Sequence, residues 1–463
     1  VQINSIDKES YNIDPLKKLV ITGETRSENW RRLQLKRIRN LVEENELEII
    51  NTLKKDLEKP NTEAYFEIIA LIQEIKLAES NLKSWMRPKN INVPISFKPG
   101  KATIQNEPLG CVLIIGPWNY PFSLTLQPLV SALAAGNTAI VKPSEHAKNT
   151  SELIKKLVEK YFPRNIVRVI EGDGEIAEKL TNKPFDHIFF TGGGRIGKIV
   201  MKSAANNLTP VTLELGGKSP ALVLEGADLE ITAKRLIWGK CVNSGQTCIA
   251  PDHVIVKENL KIPLINLMKR TIFDFYGNSP VNSEHLAKII NLQHFQRLKE
   301  LIDFAKENKQ IKFGGEIDEL KNRIGITIVD LKSRKDKLME EEIFGPILPI
   351  ISFVDLKETI NEIINQPKPL AIYIFGGSTE EQNKIINSTA SGGVCVNDVI
   401  MQAGIPDLPF GGVGASGIGK YHGYAGFQTF SHQKSIFRKP FWVDIKLRYP
   451  PYNFDAKWLK SIL

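Results

Sequence analysis

Between Cys111 and Phe190 the chain alternates short, fully apolar runs with amphipathic ones, and no other feature limits its fold so tightly. Runs at 111–115, 138–141, 167–170 and 187–190 read as strands without apolar–polar alternation. Helices are expected between them at 126–135, 151–161 and 175–180. A strand that is apolar on both faces must be covered on both, which predicts a parallel sheet with helices on either side. The second half repeats the style, with strands at 221–224 and 254–256 and helices at 229–240, 259–275 and 284–308. Upstream, 29–85 has helical spacing. Residues 90–105, punctuated by Pro94, Pro99 and Gly100, read as a hairpin that is more arm than core. For 463 residues the economical reading is two α/β domains plus an arm built from the hairpin and the C-terminal region.

Charge and cysteine usage remove several function classes. The 61 Lys+Arg against 52 Asp+Glu leave +9, a mild excess for this size. The basic residues are scattered among acids, as in Lys54-Lys55-Asp56-Leu57-Glu58-Lys59, which reads as a solvated helix face. No basic stripe with interleaved aromatics appears, so nucleic acid is not an expected partner. Residues 1–10 lack a signal-peptide pattern, and no apolar run approaches the roughly 20 residues of a membrane span. Room is left for a peripheral membrane contact. Cys111, Cys241, Cys248 and Cys395 form no C-x-x-C pair and have no run of His partners. Neither a disulfide framework nor a metal site is expected, and a reducing, cytoplasmic setting is.

Four glycine loops compete as phosphate cradles. Gly172-x-Gly174-x-x-Ala177 has the dinucleotide spacing after a strand, but Asp173 and Glu175 sit where a pyrophosphate would lie. Gly412-x-Gly414-x-x-Gly417 follows Pro409-Phe410, not a strand, and Gly414–Lys420 ends in Tyr421 where a P-loop needs Ser or Thr; both read as turn-rich packing. Gly192-Gly193-Gly194-Arg195-Ile196-Gly197 follows the strand at 187–190 and opens a helix, the arrangement that binds phosphate through free backbone N–H groups. Spacing alone suits this loop equally to phosphate binding and to a plain turn.

Three residues stand out chemically. Cys248, in Gly245-Gln246-Thr247-Cys248, lies in a loop bounded by Gly245 and Pro251; it is a reactive thiol or a buried inert one. Glu214, flanked by Leu213 and Leu215, is a candidate general base or a strand-end carboxylate paired with Lys218. Asn119, between Pro117 and Pro121, is an oxyanion donor or a turn residue bonding its own backbone.

Taken together the motifs are far more specific. Pro117-Trp118-Asn119-Tyr120-Pro121, Lys142-Pro143-Ser144-Glu145, Phe190-Thr191-Gly192, Leu213-Glu214-Leu215-Gly216-Gly217-Lys218, Gly245-Gln246-Thr247-Cys248 and Glu341-Glu342-Ile343-Phe344-Gly345-Pro346 occur in the order found in NAD(P)-dependent aldehyde dehydrogenases. Ser391-Gly392-Gly393-Val394, Asn397-Asp398, 408–417 and Phe430-Ser431-His432 resemble the class 3 branch, which includes fatty aldehyde dehydrogenases. The match runs from about Trp30 to Pro451.

The resemblance implies a Rossmann-like cofactor domain (1–87 and 106–212), an α/β catalytic domain (213–396) and a β-ribbon oligomerisation arm (88–105 and 397–440). A tail (441–463) follows, and the molecule is expected to be a homodimer. It implies Cys248 as nucleophile, Asn119 with the Cys248 backbone N–H as oxyanion donors, and Glu214 as the base that activates water against a thioester. NAD or NADP would meet Trp118, Lys142 and Glu145, the helix start at Gly192, Gly193 and Gly197, and Glu342 with Phe344. Glu145 leans the choice toward NAD by repelling a 2′-phosphate. Tyr120 would line an apolar tunnel for medium- to long-chain aliphatic or aromatic aldehydes. Gln402 replaces a His often found there, and Arg195 departs from the usual Asn/Ser-Thr turn. Trp458, Leu459, Ile462 and Leu463 would pack on a partner subunit, cap the tunnel or touch lipid. The rival enzyme is a CoA-acylating reductase, disfavoured by Glu214; the rival outside catalysis is a binding member of the fold.

Overall fold

The computed structural model describes residues 11–444 and 448–452, so the expectation for 458–463 lies outside the described residues. Two sheets organise the chain. The first has the order Gly417–Ile418, Val211–Glu214, His187–Thr191, Cys111–Ile115, Thr138–Lys142, Val167–Val169. All neighbours are parallel except the two-residue Gly417–Ile418, which pairs antiparallel with Leu213 and Glu214. Its central strands Cys111–Ile115 and Thr138–Lys142 are buried from end to end, as continuous apolar runs require, and helices cover both faces.

The second sheet runs Ile311–Phe313, Thr327–Leu331, Ile347–Phe353, His253–Lys257, Pro220–Val223, Ala371–Phe375, Gly393–Val396. Only Ile311–Phe313 is antiparallel. Separate apolar clusters lie on its two faces, one built on helices Leu229–Cys241 and Glu258–Tyr276, the other on Leu292–Glu307. Lys89–Ile91, Lys101–Pro108 and Ser431–Arg438 form a separate three-stranded antiparallel ribbon.

Three expectations change. The segment 397–440 is distributed: Ser431–Arg438 joins the ribbon, Gly417–Ile418 joins the first sheet, and helix Gly423–Thr429 packs on helices Asn61–Met86 and Ser123–Ala134. The helix expected at 284–308 starts only at Leu292. Backbone groups ahead of it are claimed elsewhere: Ile290 N donates to Gln246 Oε1 at 3.0 Å, and Lys288 O accepts from Gln246 Nε2 at 3.0 Å. Finally, 54–59 is not a solvated face throughout. Lys59 is 0% exposed and Asp56 is buried. Asp56 accepts from Asn149 N, at 3.1 Å, and Thr150 N, at 2.8 Å, at the start of helix Lys148–Tyr161. A buried carboxylate there satisfies orphan N–H groups that would otherwise be costly.

Candidate active site

A cavity of about 1150 Å³ lies between the sheets and collects nearly every candidate residue. The first sheet supplies it from the carboxyl ends of its strands: Gly116–Tyr120 after Cys111–Ile115, Lys142–Glu145 at the next strand, Gly192 after Thr191, and Glu214 itself. The second supplies segments that precede its strands: Gly216 before Pro220–Val223, Cys248 before His253–Lys257, and Glu342 and Phe344 before Ile347–Phe353. Carboxyl ends beside the point where strand order reverses are the usual ligand crevice of open α/β sheets.

The loop that carries Cys248 is held by side chains. Asn243 and Ser244 adopt left-handed backbone angles, φ 51° and 52°, a strained entry to the loop. Asn243 N donates to Glu63 Oε2 at 2.8 Å, and Gln246 Nε2 donates to Asn243 O at 3.0 Å. Gly245 leaves no space for a side chain: a Cβ would come 2.4 Å from Gly345 O. Cys248 is partly exposed to the cavity, whereas Cys111 and Cys241 are buried. Burial, then the charges of Glu342 and Glu214, push the Cys248 thiol up to about 12; backbone N–H groups of Cys248 and Ile249 offset part of this.

Glu214 is 3% exposed, and neither carboxyl oxygen has a hydrogen-bond partner. Burial raises its pKa well above the usual carboxylate range. The alternative pairing with Lys218 does not form. Lys218 Nζ donates instead to Asp252 Oδ2 at 2.5 Å, Leu338 O at 2.9 Å and Glu341 O at 2.8 Å. Asp252 Oδ1 in turn accepts from Ile343 N at 2.8 Å, so this pair fixes the loop that carries Glu342. Burial and the Asp252 charge raise Glu342 to about 8. Its carboxylate rests against Gly216, where a Cβ would come 2.1 Å from Glu342 Oε2.

Asn119 is buried, and Nδ2 donates to Gln246 O at 2.9 Å, which ties the oxyanion candidate to the Cys248 loop. An amide has two N–H groups, so one remains for another acceptor. Tyr120 Oη and Thr247 Oγ1 share a 2.7 Å hydrogen bond, and Trp118 stacks edgewise on Phe344 at 5.4 Å. The cavity wall beyond them is apolar, with Phe66, Ile69 and Ala70 of helix Asn61–Met86 facing Ile400 and Met401.

At the other end, helix Gly194–Ala205 begins at Gly193 with no side-chain cap. A Cβ on Gly193 or Gly194 would meet nothing within 4 Å, so the free N–H groups open onto space. Lys142 Nζ lies 2.5 Å from Glu145 Oε2; despite burial, this contact holds Glu145 below the usual carboxylate range. Gly197 packs against Leu215, supporting the helix without lining the cavity. In the competing loop, Asp173 Oδ1 accepts from Glu175 N and Ile176 N at 3.1 and 3.3 Å, which makes it a helix cap. Gln293, His294 and Arg297 also line the cavity; no motif marked them in the sequence. His294, 4.9 Å from Trp118, is lowered to about 4 by burial and by Arg297.

Known proteins share this fold. The family model described as "Aldehyde dehydrogenase family" matches residues 24–436. The chain is 42% identical over 460 residues to a 4,4'-diaponeurosporen-aldehyde dehydrogenase of Staphylococcus aureus, covering 99% of each. It is 44% identical over 456 residues to aldehyde dehydrogenase family 3 member A2 of Rattus norvegicus, covering 97% of this chain and 93% of the relative. Among solved structures, the substrate-bound state of Staphylococcus aureus AldH superposes with a TM-score of 0.94 at 41% identity, covering 98% of this chain and 99% of that one.

Proposed function

The chain belongs to the aldehyde dehydrogenase family and oxidises aldehydes with NAD or NADP; we propose that Cys248, Asn119 and Glu214 carry out the chemistry. The observation that carries this assignment is Glu214, whose two buried, unpartnered oxygens lie in the same cavity as the one cysteine that lines it.

The residues present fit a dinucleotide: an uncapped helix start with open space at Gly193 and Gly194, the Lys142–Glu145 pair beside it, and Glu342 with Phe344 opposite. The first would hold the pyrophosphate, the second the adenosine ribose and the third the nicotinamide ribose. Bound there, the nicotinamide supplies the hydride acceptor. Every other task falls to the chain. Cys248 gives its proton to solvent water, and its sulfur attacks the aldehyde carbon, leaving a tetrahedral oxyanion. The free N–H of Asn119 Nδ2 and the Cys248 backbone N–H stabilise that oxygen, each such donor contributing about 3–4 kcal/mol. Once hydride has left, an acyl thioester remains on Cys248. Glu214 takes a proton from water, which attacks the thioester and releases a carboxylic acid. Its raised pKa makes the deprotonated form a stronger base. A base for water argues against transfer to CoA, which brings its own thiol.

The apolar wall of Phe66, Ile69, Ile400 and Met401, with Tyr120, suits medium- to long-chain aliphatic or aromatic aldehydes. The negative charge at Glu145 favours NAD over a 2′-phosphorylated cofactor. We assign the cofactor domain to the first sheet and its helices, the catalytic domain to the second, and dimerisation to the ribbon, whose Ile95, Phe97 and Phe437 are exposed. Four free cysteines support a cytoplasmic setting. Among the described residues no helix is long and apolar enough to cross a membrane.

Cys248→Ala should abolish aldehyde-dependent formation of reduced cofactor, measured at 340 nm against short, long-chain and aromatic aldehydes with each cofactor in parallel. Substantial residual turnover would remove Cys248 from this role.

A further inference from the structure

The wall behind Asn119 contains a buried ion pair. Lys59 and Glu67 are both 0% exposed, and Lys59 Nζ lies 2.6 Å from Glu67 Oε1. Lys59 Nζ also donates to Asn119 O at 2.8 Å and sits 4.1 Å from the centre of the Tyr120 ring. Glu67 Oε2 accepts from Phe122 N at 3.1 Å, Ser123 N at 3.0 Å and Ser123 Oγ at 3.2 Å. The pair therefore grips the loop 119–123 at both ends. Asn119 O accepts a second bond, from Asn243 Nδ2 at 2.8 Å, so both its lone pairs are used. Asn243 Nδ2 and Asn119 Nδ2 both reach Gln246 O, at 3.2 and 2.9 Å, closing a ring of hydrogen bonds between the Asn119 loop and the nucleophile loop.

A buried ion pair is weak support for stability, since apolar residues of similar volume often do as well. What apolar residues cannot do is orient a peptide plane. With Asn119 O fixed from below, the direction of its Cα–Cβ bond, and so of its amide, follows. We propose that Lys59 and Glu67 are positioning residues for the oxyanion amide of Asn119, setting where its free N–H points. This rests on the oxyanion reading of Asn119 given above.

The test replaces the pair by Lys59→Met/Glu67→Gln, which removes both charges and keeps an acceptor for Phe122 N and Ser123 N. Turnover is measured in the wild-type and Asn119→Ala backgrounds, per active site counted by the burst of reduced cofactor. In the wild-type background kcat should fall about 100-fold, the scale of a misplacement near 1 Å, with aldehyde KM and NAD affinity changed less than about twofold. In the Asn119→Ala background the same replacement should cost less than about threefold, because the amide it would aim is gone. A wild-type kcat, or a loss that multiplies fully with that of Asn119→Ala, overturns the proposal. If Asn119→Ala alone leaves kcat unchanged, the oxyanion reading falls and takes this proposal with it. Should the double replacement fail to fold, Glu67→Gln alone carries the same comparison in both backgrounds.

Discussion

Replacing Glu214 by Gln separates two halves of the reaction. The side chain keeps its shape, and because neither carboxyl oxygen bonds to the protein, no hydrogen bond within the fold is broken. Stability at neutral pH should not fall, because the amide is spared the cost of a buried charge. The rate should change far more. A positioned general base contributes about 10²–10⁴-fold, or about 2.7–5.4 kcal/mol of barrier. Only the step that needs an activated water should suffer. On rapid mixing of the variant with aldehyde and NAD, one equivalent of reduced cofactor per site should appear in a burst. Steady turnover should then run at least about 100-fold below wild type. Acid quench followed by mass spectrometry should find the acyl group on Cys248, and hydroxylamine, which cleaves thioesters without a base, should restore turnover. Unchanged steady-state turnover would refute the argument. So would loss of the burst together with the steady state, since Glu214 would then be needed to form the thioester.

Gly216→Ala should raise the KM for cofactor about tenfold, because the new methyl occupies the place of the Glu342 carboxylate; a KM within twofold of wild type would show that the loop gives way freely. With its thiol near 12, Cys248 in the free enzyme should react with iodoacetamide at a rate that climbs about tenfold per pH unit, and a plateau near pH 8 would contradict the burial argument. Glu74, raised to about 7 by burial, does not line the cavity and tests linkage. Its folded pKa exceeds its unfolded one, so its contribution is complete below about 4.5 and is lost as pH rises through 7. Relative to wild type, Glu74→Gln should therefore gain thermal stability as pH rises from about 4.5 to 7, by up to about 1.4 kcal/mol per pH unit, and gain no more above 7, whereas a pH-independent difference would count against it.

That Cys248, Asn119 and Glu214 belong to one site was legible because each stands in a short motif at a strand end or loop, and the structure brings all three into one cavity. The parallel sheets were legible from apolar runs that only double-sided burial explains. Lys59 and Glu67 were not. In sequence they belong to a mixed-charge stretch like any solvated helix face, and only the packing of helix Asn61–Met86 against the loop 119–123 takes them out of water. The late start of the helix at Leu292 was hidden for a related reason: Gln246 takes the backbone groups at 288–290, and nothing near 284 announces a partner some forty residues upstream. Propensity speaks for a segment alone, and these segments are decided by their neighbours.

Helix Asn61–Met86 turns two faces to the site. Glu63 and Glu67 anchor the nucleophile and Asn119 loops, and Glu74 accepts from Gly423 N at 2.8 Å, while Phe66, Ile69, Ala70 and Gln73 look into the cavity. Helical spacing interleaves the two sets in sequence and places them on adjoining faces, with Glu67 at the border lining the cavity as well. Descent can thus alter one without disturbing the other. Changes at 66, 69, 70 and 73 would retune which aldehydes enter, generation by generation, on an unchanged reaction. Changes at 63 and 67 would instead loosen the loops that carry Cys248 and Asn119.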